Sequence, residues 1–124
     1  MSPAREEIRQ EVEALLPLPL ATFHILLALA DDDRHGYAIM HEVERRTGGA
    51  LRLSAGTLYR SIQRMLEQGL LVELRERPAP EADDERRRYY RITPLGSTVA
   101  RAEAARLNAL VRLARSVGLA PGRA

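Results

Sequence analysis

The 124-residue chain has no cysteine, no tryptophan, one phenylalanine and, among its 19 basic residues, no lysine. The missing cysteine excludes a disulfide framework, a thiolate metal site and a cysteine nucleophile. Without lysine every cation is a guanidinium, the forked donor that suits phosphates and guanine edges, although genome-wide codon bias is the simpler cause. Long hydrophobic runs are also missing. The longest, around "FHILLALA", is far too short to span a bilayer. The opening "MSPAREEIRQEVEALL" is charged and amphipathic, so no signal peptide, no membrane partner and a cytoplasmic location are expected. A net charge of +2 points to no class of partner by itself. The length suits one domain with a modest core.

The most informative stretch is "LSAGTLYRSIQRMLEQGLL", residues 53–71. Ser54 is a good N-cap and Gly69 a good residue to end a helix in the left-handed conformation. Between them Leu58, Ile62, Met65 and Leu66 form one apolar stripe. The opposite face holds Gly56, Thr57, Arg60, Gln63 and Arg64, flanked by Tyr59 and Ser61, with one carboxylate, Glu67, at its far end. A helix over 54–68 with one core side and one cationic, hydrogen-bonding side is expected.

Three helical patterns precede it. Ser2-Pro3 reads as a cap and first-turn proline for a helix with the stripe Ile8, Val12, Leu15 and Leu16. After the break "PLPL", "ATFHILLALA" reads as a short helix buried all round. "DDDRHG" is a turn, with Asp31, Asp32 and Asp33 expected to cap the helix starting near Gly36. In that helix Tyr37, Ile39 and Val43 can face inward, and Gly48 or Gly49 ends it. Beyond Gly69 the period changes to two. "LLVELRER" sets Leu71, Glu73 and Arg75 against Val72, Leu74 and Glu76, with one apolar face, and "RRRYYRIT" sets Tyr90 and Ile92 against Tyr89 and Arg91. Thr93-Pro94 then starts a last helix carrying Leu95, Val99, Ala102, Leu107, Leu110, Val111, Ala114 and Val117, closed by "GLAPGRA".

The expected fold is mainly α with a small β-hairpin: a winged helix-turn-helix flanked by N- and C-terminal dimerisation helices. Residues 1–93 would hold the first helix and the winged unit, and 94–124 the dimerisation helix and tail, in one continuous structural domain. In this reading helix 54–68 enters the DNA major groove and the 70–93 hairpin is the wing. Arg60 and Arg64 reach guanine edges or phosphates, while Thr57 and Gln63 read base edges. Gly56 lets the helix N-terminus, whose dipole favours anions, approach a phosphate. Ser54 and Tyr59 border this face, and Arg86, Arg87 and Arg88 extend it along the wing.

The segments "HGYAIMHEVERRTGG", "LSAGTLYRSIQRMLEQGLL" and "RRRYYRITPLG", in this order, resemble the signature segments of the PadR-like transcriptional regulators over roughly residues 18–115. The resemblance implies a homodimeric winged-helix repressor of the bacterial cytoplasm. "GTLY" matches the start of its recognition helix, and the single helix after the wing is similar to its smaller-bodied branch. Some members bind aromatic or drug-like molecules at the dimer interface. With so few aromatics, this chain is expected to bind flat aromatic compounds weakly or not at all, and any effector stays unidentified. Two departures stand out. The turn before "HGY" is three aspartates where the family usually has Gly and Pro. At the wing tip Glu81, Asp83, Asp84 and Glu85 offset Arg86, Arg87, Arg88 and Arg91, which equally read as a solvated strand edge.

Other chemistry finds little support. His24, His35 and His41 are not spaced three or four apart as metal ligands on one helix face would be. Three adjacent aspartates lack the spaced oxygens of a calcium loop. Ser54 is in no G-x-S-x-G elbow. No catalytic constellation, cofactor or metal is expected. The expected partners are double-stranded DNA at an inverted repeat and a second copy of the chain. Dimerisation is assigned to Ile8, Val12, Leu15 and Leu16 of the first helix with Val99, Leu107, Leu110, Val111 and Val117 of the last. The alternative is a winged-helix protein-interaction module without DNA binding.

Overall fold

Caps and glycines set the helix boundaries in a computed structural model, which describes residues 3–74 and 88–119. Helix α1 spans Pro3–Ala14, α2 Leu20–Leu29, α3 Gly36–Arg46, α4 Ala55–Glu67 and α5 Pro94–Ser116. At the start of α4 the Ser54 Oγ accepts from the Thr57 amide at 3.1 Å. At its end Gly69 takes φ +76° and the Leu70 amide returns to the Met65 carbonyl at 2.9 Å, closing the last turn. Gly48 and Gly49 end α3 in the same left-handed region, with the Gly49 amide on the Glu44 carbonyl at 2.8 Å. Thr93 caps α5 through the Gly96 amide at 3.0 Å, with Pro94 as first helical residue. The expected Ser2 cap lies outside the described residues.

Strands β1 (Arg34–His35), β2 (Leu71–Leu74) and β3 (Tyr89–Ile92) form an antiparallel sheet in the order β1-β3-β2. Leu71 pairs with Ile92 and Glu73 with Tyr90, while Arg34 meets Tyr90 from the other side. The sequence pattern foresaw the hairpin strands but not β1, whose two residues are too few to show a period. The buried side of β2 is carried by Leu71, with Val72 exposed and Leu74 half-buried. Leu71 follows Leu70 directly out of the core, and this fixes the register of alternation.

The core gathers Ile25, Leu26 and Leu29 of α2, Ile39 and Val43 of α3, Leu58, Ile62 and Met65 of α4, then Leu70, Leu71, Tyr90 and Val99. Helix α2 is its axle, packed on α3, α4, α5 and β3. Its nearly unbroken apolar sequence suits an element covered on most sides. Three helices followed by a two-stranded hairpin, with a third strand closing the sheet, form a winged helix-turn-helix.

Three expectations need correction. Tyr37 does not face inward; it is 62% exposed. The aspartates do not cap α3, because His35 holds that position and its Nδ1 accepts from the Ala38 amide at 3.1 Å. Asp31 instead binds Arg46 of α3 at 2.9 Å, and Asp33 binds Arg91 of β3 through two contacts at 2.7 and 3.1 Å. Val12 and Val99 are buried within the protomer, and Leu15 and Leu16 pack partly against its core. Val12 and Val99 are therefore not available as contacts for a second copy, because the fold already covers these two positions of their stripes.

Candidate nucleic-acid interface

Helix α4 divides as its sequence suggests. Leu58, Ile62 and Met65 are buried, whereas Gly56, Tyr59, Arg60, Gln63, Arg64 and Glu67 are exposed. Ser54 is exposed at the cap and Thr57 half-buried beside it. Several arginines elsewhere hold carboxylates, although Arg101, Arg112 and Arg115 of α5 have no carboxylate partner among the described residues. Arg45 and Arg46 grip Glu42 at 2.7 and 3.0 Å, Arg52 reaches Glu44 at 3.3 Å, and Arg91 holds Asp33. Arg60 and Arg64 have no such partner among the described residues. Two uncommitted guanidiniums and the Gln63 amide thus share one solvent-facing side of a helix.

Gly56 has a specific role in that arrangement. The Arg60 guanidinium lies over it, with a terminal nitrogen 3.2 Å from where a Cβ would stand. A side chain at position 56 would push the arginine away. Tyr59, placed by sequence at the edge of the reading face, turns back toward α3. Its phenol packs on Gly36, with the ring carbon bearing the hydroxyl 2.9 Å from where a Cβ would be. It is a strut between the two helices as well as a half-exposed surface residue.

The wing is placed by ion pairs as much as by its ladder. Asp33 ties the turn before α3 to β3, and the Arg91 guanidinium holds its carboxyl below the usual value. Arg91 is therefore committed to the protein itself. Arg88 is exposed at the start of β3, 3.6 Å from Glu73. Arg86 and Arg87, with the acidic tip, lie outside the described residues. Behind the interface, Arg45, Arg46 and Arg34 surround Glu42 and bring its pKa down to about 2.

One feature escaped the sequence reading. The start of α2 abuts the flank of α4, leaving a notch of about 190 Å³ lined by Pro19, Thr22, Thr57, Arg60, Ser61 and Arg64. The only local signal was the missing capping side chain after "PLPL": Pro19 occupies the cap position of α2 and makes no side-chain cap. Among the described residues no group of three or more His, Cys, Asp or Glu could hold a metal ion. No described helix is long and apolar enough to cross a membrane.

A cationic helix face, presented by a helix-turn-helix with a wing beside it, defines the class of winged-helix regulators. The model of the transcriptional regulator PadR-like family matches residues 25–102, and the chain belongs to that family. It is 38% identical over 73 residues to the transcriptional regulator Rv3488 of Mycobacterium tuberculosis, covering 59% of this chain. The matched region spans 62–63% of the length of the curated relatives. Among solved structures, a PadR family transcription regulator from Clostridium difficile superposes with a TM-score of 0.65 at 21% identity, over 80% of this chain and 98% of that one. Bacillus subtilis PadR in complex with operator DNA gives 0.58 at 14% identity, over 68% and 46% of the two chains. These likenesses are of fold. The named relatives are transcriptional regulators, not enzymes.

Proposed function

We propose that the chain is a homodimeric, DNA-binding repressor that lays α4 in the major groove and its β2–β3 hairpin along the adjacent backbone. The carrying observation is the pair of guanidiniums, Arg60 and Arg64, unpaired among the described residues and beside Gln63 on the exposed side of α4. Such a side can make bidentate contacts to guanine and adenine edges as well as charge contacts to phosphates. Ser54, Gly56, Thr57 and Tyr59 shape its N-terminal end, and Arg86, Arg87 and Arg88 are assigned to DNA contact as part of this proposal. DNA contact is assigned to residues 1–93 and self-association to residues 94–124. Within that second segment the free surface is Leu110, Val111 and Val117, joined by Leu113; Leu107 is half-buried beside them. Ile8 of α1 adds a further exposed apolar residue.

The family relation supports this reading, as does the operator complex of the Bacillus subtilis neighbour. The test is selection from a random duplex library followed by fluorescence anisotropy over a salt series. An enriched inverted repeat, bound with a steep inverse salt dependence, is expected. A protein that binds no duplex even at low salt would be an interaction module instead.

A further inference from the structure

Among the described residues Glu103 is the one charged side chain that the fold buries, at 3% exposure. It follows Gly96 and Val99 on the buried side of α5 and is the last buried residue of that helix. From 104 to 116 every position is exposed except Arg106, Leu107 and Ala114, which are half-buried. Glu103 therefore marks the point where α5 leaves the protomer.

Its contacts are directional. Arg106 grips both carboxylate oxygens, with Nε on one at 2.6 Å and Nη2 on the other at 2.9 Å. Arg106 first, and then the backbone N–H of Leu18, hold the carboxyl below its usual range against the opposing effect of burial. Leu18 is a core residue of the segment between α1 and α2. A buried carboxylate ties α5 to that segment at one angle, because a slide or roll of the helix strips it of donors that water cannot replace. Apolar contacts such as those of Val99 have no such direction. As a source of stability a buried ion pair is weak, since apolar side chains of like volume often do as well or better. What it can add is a unique arrangement.

That arrangement matters because of the length of helix beyond it. At about 1.5 Å per residue, residues 104–116 make an arm of about 20 Å. A tilt of about 10° at its root displaces the far end by about 3.5 Å, close to the ~3.4 Å between successive base pairs. With two arms paired across a two-fold axis, such a tilt moves the two copies of α4 relative to each other. We propose that Glu103 is the positioning residue that fixes the separation of the two α4 helices, and with it the half-site spacing that the dimer accepts. It touches no DNA and acts through the docking of α5 on the Leu18 segment. The inference rests on the dimeric DNA-binding reading above and adds what makes that dimer selective for one spacing.

The test uses the full chain and the inverted repeat enriched by duplex selection, with one or two base pairs inserted or removed between its half-sites. Glu103→Met fills the same space without directional contacts, and the Arg106 side chain, 34% exposed, can turn to water. The parent should lose about tenfold or more in affinity per base pair of altered spacing, because only one half-site stays engaged. Glu103→Met should bind a random duplex like the parent, remain a dimer by sedimentation and melt no lower. Its loss per base pair of altered spacing should nevertheless be less than about threefold. Glu103→Gln, which keeps the shape and one acceptor, should fall between the two. A residue that merely stabilised the fold would shift melting and leave spacing selectivity alone. If Glu103→Met fails to fold, Glu103→Gln decides. Parent-like spacing selectivity in the folded variant overturns the inference. So does a folded variant that is monomeric, since Glu103 would then hold the dimer together and not set its angle. A dimeric parent that binds inverted repeats of every spacing equally overturns it too, with the DNA-binding reading intact. A parent that binds no duplex, or stays monomeric, removes that reading, and this inference falls with it.

Discussion

The phenol of Tyr59 occupies the space that a side chain at Gly36 would need. The ring carbon carrying its hydroxyl lies 2.9 Å from the Cβ position, and the next ring carbon 3.2 Å. Gly36 opens α3 and Tyr59 sits in the second turn of α4, so the contact sets how closely the two helices of the helix-turn-helix approach. The "HGY" and "GTLY" segments are physically one feature.

Gly36→Ala should therefore cost about 1–3 kcal/mol by overpacking, although Ala is the better helix former. In a Tyr59→Ala background the same change should be neutral or stabilising by up to about 1 kcal/mol. Urea unfolding of the parent, the two single variants and the double variant measures the coupling. Additive effects would show that the ring swings away freely and sets nothing.

Gly96 is a harsher case. A Cβ there would run into the Leu70 carbonyl and stand 2.9 Å from Ile92 Cγ1. Backbone cannot yield as a tyrosine ring can, so Gly96→Ala should lie at or above the upper end of the same range of about 1–3 kcal/mol. Thr93 locks this junction, donating to the Gly69 carbonyl at 2.6 Å and capping α5 through Gly96. Thr93→Val should cost about 0.5–2 kcal/mol as a lost cap, and thermal melts rank the two substitutions. A Gly96→Ala protein as stable as the parent would contradict the close approach.

Acid should loosen the tie between the turn, α3 and the wing. Arg46 holds Asp31 below its ordinary value, Arg91 does so for Asp33, and Arg106 for the buried Glu103. Glu42 falls from 4.5 to about 2, chiefly through its bond to Arg45 and then to Arg46. A carboxyl with a depressed folded-state pKa stabilises the fold above its unfolded pKa, and that contribution disappears as pH drops through the folded value. The melting temperature should be level from neutral pH to about 4.5 and then fall steadily toward pH 2. Glu42→Gln should melt lower at neutral pH and show a shallower acid decline. An identical slope in parent and variant would remove Glu42 from the account.

The local grammar of the chain was legible because each rule needs only neighbours. Ser54 and Gly69 bracket α4, Thr93-Pro94 opens α5, and Gly48-Gly49 ends α3. What escaped depends on residues far apart in sequence. Asp31 is drawn to Arg46, and Asp33 to Arg91, 58 positions away, so three aspartates that looked like a cap became anchors. Val99 read as part of an open stripe, yet the fold buries it. The cationic side of α4 could be read from periodicity, but Thr22 could not be added to it. Nothing in "LPLATF" tells that this turn will lie against Arg60 and Arg64.

The residues of α4 should separate by assay. Gln63 is exposed and lies away from the notch, so Gln63→Ala should reduce operator preference by about 1–3 kcal/mol with little change in salt dependence. Arg64 lines the notch, so Arg64→Ala should weaken all duplexes alike and lower the salt slope by about one unit. Competition anisotropy with operator and random duplex distinguishes the two patterns. Arg64→Ala changing only operator affinity would make that arginine a base reader.

Self-association should map to the distal half of α5. Its first half is already used: Gly96, Val99 and Glu103 are buried in the protomer. Cutting the chain at Pro94 would strip the core as well as any dimer contact, so it cannot isolate the interface. Beyond Leu107 the helix exposes Leu110, Val111, Leu113 and Val117, spaced along one apolar stripe. Contiguous apolar surface of this kind ordinarily finds a partner, and a two-fold axis would pair the stripe with its own copy. Leu110→Glu combined with Leu113→Glu changes only side chains that the protomer leaves in water, so folding should be intact by circular dichroism. Sedimentation should show a dimer for the parent and a monomer for the double variant. A dimer would set two copies of α4 about one duplex turn, ~34 Å, or a multiple of it apart. The monomer, with one such helix, should lose about two orders of magnitude in operator affinity or more. A double variant that remains dimeric would place the interface elsewhere on the molecule, with the exposed Ile8 of α1 the next side to test.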